Sequence, residues 1–171
     1  MAAPPERRTA PAPRAGRTPK AAAAEAPLVI RPVRRADLAP VVAIDATVTG
    51  IEKRAYWESV YRRYGAAAQA ERTFLVAEQA RQVVGFVIGE VRDWEFGSPS
   101  SGWVIDLAVH PRARLSGLAT RLMDDLCRRL REAGVDKVRT LLARDNALVL
   151  AFFRSQGMMA APLITLEKEL G

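Results

Sequence analysis

The sequence predicts a mixed α/β fold whose sheet is not purely parallel. Two observations carry this. Three apolar, strand-like runs follow one another between residues 73 and 109, and a strand–helix–strand unit begins at residue 103. Successive strands pair as hairpins, whereas a crossover helix joins parallel ones. The chain has 171 residues, 49% of them apolar, which suits one domain with its own core.

Each element has its own signal. LVIRPV (28–33) reads as a first strand. RADLAPVVAIDATV (35–48) places Leu38, Val41, Val42, Ile44 and Val48 near helical spacing, with Asp37 as its cap. Residues 52–71 form a second helix, with Trp57, Val60, Tyr61 and Tyr64 on one face. TFLVAEQ (73–79) and QVVGFVIGEVRDW (82–94) are strands around a tight hairpin at Ala80-Arg81. Residues 95–102 are a loop rich in turn formers, and WVIDLAV (103–109) is the fourth strand. A helix from Gly117 to Ala133 buries Leu118, Leu122, Leu126 and Leu130, carries Asp124–Arg128 and Asp125–Arg129 pairs, and stops at Gly134. KVRTLLAR (137–144) is a strand, Asn146 caps a helix ending near Gly157, and the alternation of residues 161–170 reads as a last strand. The predicted order is β-α-α-β-β-β-α-β-α-β.

Residues 1–26 are dominated by Ala, Pro and Arg, with no Val, Leu, Ile or aromatic residue. Such a segment cannot bury enough surface to offset its ordering entropy and is expected to be a disordered tail before a single domain over 27–171. It has no apolar stretch of the kind a secretory signal needs, and its prolines oppose the amphipathic helix of a transit peptide. No apolar run approaches the ~18 residues of a membrane span. Five basic residues of the tail contribute much of the net charge of +7, so the remainder is mildly basic. No zinc-finger spacing, RNP-like aromatic motif or basic heptad region accompanies that charge, which argues against nucleic acid as a partner. The single cysteine, Cys127, sits on a helix among leucines and reads as packing; without a disulfide the chain suits a reducing, cytoplasmic compartment.

The strongest local signal is the junction VHPRARLSGLATRL (109–122). A helix start leaves its first N–H groups without intrahelical partners at the positive end of the dipole. A loop with Gly117 leading into that end can present several donors to one anion, a diphosphate more readily than a carboxylate, and Arg112, Arg114 and Arg121 could add charge. A plain helix start explains the same residues. The Gly-Lys-Ser/Thr of a Walker loop and the three glycines of a dinucleotide fingerprint are absent.

The junction resembles the acetyl-coenzyme A loop of the GNAT N-acetyltransferase superfamily. That pattern is Val-x-Pro, then Arg/Gln-x-x-Gly-x-Gly/Ala and a helix, matched by Val109, Pro111, Arg114, Gly117 and Ala119. A second block, NALVLAFFRSQGM (146–158), is similar to the family's later Asn-helix-Gly segment. The resemblance extends over roughly residues 28–170. It implies a GNAT-like mixed, mostly antiparallel central sheet flanked by helices, with acetyl-CoA as co-substrate, an amine as acceptor and no metal.

The resemblance also assigns residues. The diphosphate would sit on backbone amides of Arg114, Leu115, Ser116, Gly117, Leu118, Ala119 and Thr120. The pantetheine arm would pair with the backbone of Leu107, Ala108 and Val109, where one N–H could hold the thioester oxygen. Asn146 would lie near the coenzyme arm, as well as capping its helix. Asp106 is the candidate base, with Glu90 second and Glu78 third; each has a structural alternative, a hydrogen-bonded or solvated strand residue. Alternation places Val104, Asp106 and Ala108 on one face and Ile105, Leu107 and Val109 on the other. Phe153 stands where many members carry a tyrosine that protonates the leaving thiolate, so the usual general acid is missing and Phe153 reads as a packing residue. His110, the only histidine, reads as a surface turn residue. The acceptor groove would involve Tyr56, Trp57, Tyr61, Tyr64, Trp94 and Phe96, although such a stripe is as readily core. Amine acetyltransfer is the function implied, a non-catalytic acetyl-CoA-binding module the alternative, and a homodimer is common in similar families.

Overall fold

The computed structural model describes residues 26–66, 71–94, 97–114 and 116–171. The tail over 1–26, apart from Ala26, lies outside them, as do Leu115 and Phe96. Strand β1 (Leu28–Pro32) is followed by a 3-10 turn (Arg35–Asp37), helix α1 (Leu38–Thr49) and helix α2 (Arg54–Tyr64). Next come β2 (Arg72–Gln79), β3 (Gln82–Arg92) and β4 (Ser101–Val109). Helix α3 (Leu118–Glu132), the short β5 (Val138–Thr140) and helix α4 (Ala147–Ser155) complete the described elements. The sheet runs β1-β2-β3-β4-β5, antiparallel up to β4, with β5 parallel to β4. It is the mixed, mostly antiparallel sheet expected. Among the described residues no helix is long and apolar enough to cross a membrane.

The sheet has a helix layer on each face. On one side α3 lays Leu118, Leu122, Leu126 and Leu130 against Leu75, Val87 and Val104, with Phe153 of α4 joining them. Three glycines set the depth of that contact. A Cβ at Gly85 would stand 3.2 Å from Leu122, one at Gly89 2.7 Å from Leu126, and one at Gly102 2.7 Å from Leu130. Side chains there would push the helix off the sheet, so the glycines form its footprint. On the other side α1 and α2 bury Val41, Ile44, Trp57 and Tyr64 over Phe74, Val76, Phe86 and Ile88. Trp57 meets the Phe86 ring edge-on at 5.0 Å.

The β2–β3 hairpin turns at Ala80 (φ 50°) and Arg81 (φ 63°), the two left-handed residues a tight hairpin requires. Asp37 does not cap α1 as expected. Its carboxylate instead accepts the Arg34 backbone N–H (2.7 Å) and a two-bond contact from Arg31 (2.7 and 2.9 Å), and Arg31 also reaches Glu78 (2.6 Å). Burial pushes the Asp37 carboxyl up, but these donors outweigh it and hold it below the ordinary range. The network ties β1, the start of α1 and β2 together.

Four expectations are corrected. The second helix ends at Tyr64, where the N–H groups of Gly65 and Ala66 both bond to the Tyr61 carbonyl. The strand expected over 137–144 is only Val138–Thr140, because its pairing with β4 stops at Val104 and Leu141 onward has no partner strand among the described residues. Residues 161–170 form no strand; with β5 three residues long there is little edge to pair with, and Ile164, Leu166 and Leu170 are 84%, 89% and 87% exposed. The order is therefore β-α-α-β-β-β-α-β-α. On α3, Arg128 takes Asp125 one turn back and Glu132 one turn ahead, in place of the expected Asp124–Arg128 and Asp125–Arg129 pairs.

Replacing Gly89 by Ala tests the footprint. The new Cβ would meet Leu126 at 2.7 and 2.9 Å and the Trp103 carbonyl oxygen at 3.0 Å. Overpacking of this kind costs about 1–3 kcal/mol. Urea unfolding should show a loss of that size; a variant as stable as the parent would show that the sheet and α3 can part freely.

Candidate active site

The site begins with a register slip. β3 pairs Ile88 with Asp106 but Gly89 with Val104, so Ile105 is an extra residue and β4 carries a bulge. Beyond it the alternation reverses. Val104 and Val109 lie in the same core under α3, while Ala108 packs on the α1/α2 side, as does Ile88, the cross-strand partner of Asp106. The simple alternation expected for residues 104–109 is thus wrong: Val104 does not share a face with Asp106. A strictly regular strand would have aimed residue 106 into the opposite layer.

The slip also ends the pairing of β4 with β5. The last matched pair is Val104 with Thr140, whose hydroxyl donates to the Val104 carbonyl at 3.1 Å. From Ile105 to Val109 that edge of β4 has no neighbouring strand among the described residues, and a cleft of about 510 Å³ opens between it, Leu141–Ala143 and α4. Asp106, Leu107, Ala108 and Val109 line it along β4, Arg114 and Ala119 from the following junction, and Asn146 and Phe153 from α4. Val48, near the end of α1, also lines it.

At the junction His110 Nδ1 accepts the Arg112 N–H (3.2 Å), which makes it the turn residue expected. The Ser116 hydroxyl donates to the Ala113 carbonyl (2.7 Å). Gly117 follows at φ 72° and provides no side chain to cap α3. A Cβ there would meet nothing within 4 Å, so the left-handed backbone, not crowding, is what calls for glycine. The Arg121 N–H makes the first helical bond, to the Gly117 carbonyl (3.1 Å), which leaves the amides of Leu118, Ala119 and Thr120 without helical acceptors. Of the three arginines expected to add charge, Arg114 lines the cleft, whereas Arg121 lines a separate groove with Asp124 and Asp125.

Asp106 is half-buried on the bulge. Burial raises its carboxyl from the ordinary value to about 6, Asp45 adds to the rise, and the Leu107 N–H and Lys53 oppose it. Glu90 sits differently. One oxygen accepts the Tyr64 hydroxyl (2.8 Å), the other the Arg92 guanidinium (2.7 Å), and it is not among the cleft-lining residues. Glu78 is bound to Arg31. Asn146 caps α4 through its side-chain oxygen, which accepts the Val149 N–H (3.2 Å), and its exposed amide still borders the cleft. Phe153 is buried against the α3 core, its ring edge-on to Phe152 at 5.2 Å.

The aromatic groove expected from α2 does not form as one surface. Trp57 and Tyr64 are core, Tyr56 and Trp94 are exposed, and none of them lines the cleft around Asp106. Sequence reasoning placed Val48 only in the apolar stripe of its helix, although it also lines the cleft, and passed over Asp45, which adds to the rise of the Asp106 carboxyl. A buried acid in the otherwise uncharged α1, at Asp45, was the available signal.

Taken together, the site offers an open strand edge, uncapped helix amides at one end and a half-buried carboxylate of raised pKa at the other. Solved structures share this architecture. An aminoglycoside N-acetyltransferase in complex with CoA is 14% identical with a TM-score of 0.74, covering 85% of this chain and 97% of that one. An aminoglycoside 6'-N-acetyltransferase from Acinetobacter baumannii is 19% identical with a TM-score of 0.71, covering 85% and 100%. A transcriptional regulator from Bacillus halodurans C-125 is 15% identical with a TM-score of 0.70, covering 84% and 99%. At these identities the likeness is one of fold. The family model described as Acetyltransferase (GNAT) family matches residues 44–158, from α1 through β4 and its junction to the end of α4, and the chain belongs to that family.

Proposed function

We propose that the protein transfers an acetyl group from acetyl-CoA directly to a primary amine of a small molecule or polypeptide, with Asp106 as the base. The observation that carries this reading is the continuity of one cleft from the α3 amides, along the open edge of β4, to Asp106. A diphosphate suits the amides of Leu118, Ala119 and Thr120 with Arg114 beside them. An extended arm suits the edge from Leu107 to Val109, in the manner of an added strand.

The amine arrives as an ammonium and cannot attack in that form. The Asp106 carboxylate takes one proton, directly or through one water. The freed nitrogen attacks the thioester carbon; the C–N bond forms and negative charge develops on the carbonyl oxygen, within reach of a backbone N–H of the β4 edge. Collapse breaks the C–S bond, and the departing thiolate takes the second proton from nitrogen. The Asp106 proton returns to solvent. Phe153 cannot donate a proton, but a thiol of pKa ~8.5 leaves without a general acid.

Saturating acetyl-CoA should raise the melting temperature by several degrees, since ligand at ~100 times Kd contributes about 2.7 kcal/mol. The absence of any stabilisation would sink the reading. Thiol release measured across a panel of amines separates the enzyme from a binding module, for which stabilisation would occur with no release for any amine.

The base form of Asp106 is the carboxylate, so kcat/KM should fall as pH drops through about 6. Asp106→Asn should lower kcat/KM by at least ~100-fold, the smaller end of general-base effects, and remove that acid limb. Full rate in the variant would remove Asp106 from the mechanism and leave the coenzyme site standing. Gly117→Val tests the other end: a β-branched residue at φ 72° is strained by about 1–3 kcal/mol. Its KM for acetyl-CoA should rise about tenfold or more, with the KM for amine little changed.

A further inference from the structure

We propose that the acceptor is a monoamine with an apolar body, an alkylamine or arylalkylamine, and that Val48, Ile105 and Leu141 bind that body beside Asp106. The inference rests on the reading of Asp106 as base and of the β4 edge as the coenzyme's rail. With the arm along Leu107 to Val109, the Asp106 end of the cleft is left to the amine. Three apolar side chains from three parts of the chain border that end. Ile105 precedes Asp106 on the bulge. Leu141 follows Thr140, the residue paired with Val104, so it leaves β5 beside the bulge. Val48 comes from α1, which packs against β4 in the layer that the bulge turns Asp106 toward. All three line the cleft, and Val48, Ile105 and Leu141 are 56%, 37% and 66% exposed. Single apolar side chains in water are ordinary. Three that converge beside one carboxylate form a surface that a ligand gains by covering.

Charge complementarity sets the number of ammonium groups. Among the described residues that line the cleft, Asp106 is the one carboxylate and Arg114, at the junction end, the one cation. Two other acids of the same layer are already bound, Asp45 by Lys53 and the Trp57 indole, Glu90 by Tyr64 and Arg92, and neither lines the cleft. One ammonium therefore finds a partner, which also takes its proton. A second ammonium on the same molecule would lose water against Val48 or Leu141 with no carboxylate to receive it, a cost that a methyl group in its place does not carry. The chain's net charge of +7 also works against a polycation.

Thiol release from acetyl-CoA with a homologous series of n-alkylamines reads the apolar contact. From propylamine to pentylamine, kcat/KM should rise about fourfold per methylene, the equivalent of ~0.8 kcal/mol. Putrescine, which carries an ammonium where pentylamine has its end methyl, should fall about tenfold or more below pentylamine. Val48→Ser and Leu141→Ser, both at exposed positions, should flatten the rise with chain length and leave the KM for acetyl-CoA little changed. Leu141→Glu supplies a second carboxylate and should narrow the gap between putrescine and pentylamine. A flat series in the parent protein, or putrescine faster than pentylamine, overturns the proposal and leaves acetyltransfer standing. Calorimetric titration of the same amines into the CoA-saturated protein separates the two readings. Affinity that rises with chain length, without thiol release for any amine, upholds the apolar acceptor subsite and refutes acetyltransfer. Neither release nor binding that depends on chain length overturns both.

Discussion

The extra residue in β4 is the constraint on which the site depends. Without it, β4 would continue beside β5, its edge would be paired, and the cleft would be sheet. With it, the ladder ends at Val104 and Thr140. The strand edge opens at the point where α3 presents its uncapped amides. The bulge also decides which layer receives Asp106. One slip therefore supplies an open edge, a cavity and a carboxylate, and the two helix layers fix all three. The glycine footprint of Gly85, Gly89 and Gly102 matters for the same reason, because it holds α3, and with it the junction, at a set depth on the sheet.

Much of this was legible in the sequence because local chemistry and tertiary placement agree. The leucine stripe of α3, the hairpin at Ala80-Arg81, the Asn146 cap and the glycine ahead of α3 are decided within a few residues. What could not be read depends on partners far along the chain. Ile105 looks like any alternating strand residue, and only the register against β3 reveals it as extra. Residues 161–170 alternate as a strand should, yet a strand also needs an edge. The Tyr/Trp face of α2 looked equally suited to core or groove; burial of Trp57 and Tyr64 puts both in the core. The acid within α1 was visible, but nothing local showed that the Trp57 indole and Lys53 would hold it.

Three carboxylates show how the same chemistry is put to different ends. Asp37 is saturated by Arg31 and a backbone N–H, and its carboxyl is held low. Such a group adds stability that is present above the unfolded-state pKa and is lost as pH falls through the lower folded value. Asp45 is buried and bound by the Lys53 ammonium and the Trp57 indole N–H. Asp106 is in no ion pair among the described residues, and its carboxyl is raised. For an acid the sign then reverses: folding favours the protonated form, so stability is greatest at low pH and declines as pH rises from the unfolded-state value toward about 6.

At neutral pH the protein thus carries an ionised Asp106 at a cost to its own stability. A residue kept for packing alone would be better replaced by Asn or Leu. An acid kept for proton transfer must be both ionised at working pH and basic enough to take a proton, which demands a pKa near the operating range. Burial alone moves a carboxylate in that direction but sets no limit on how far. The layer that the bulge turns Asp106 toward is the one built on Trp57, Phe74 and Phe86, so burial there is against packed aromatic and aliphatic side chains. The register slip that opens the cleft therefore also sets the layer in which its carboxylate is buried, and with it the rise of its pKa.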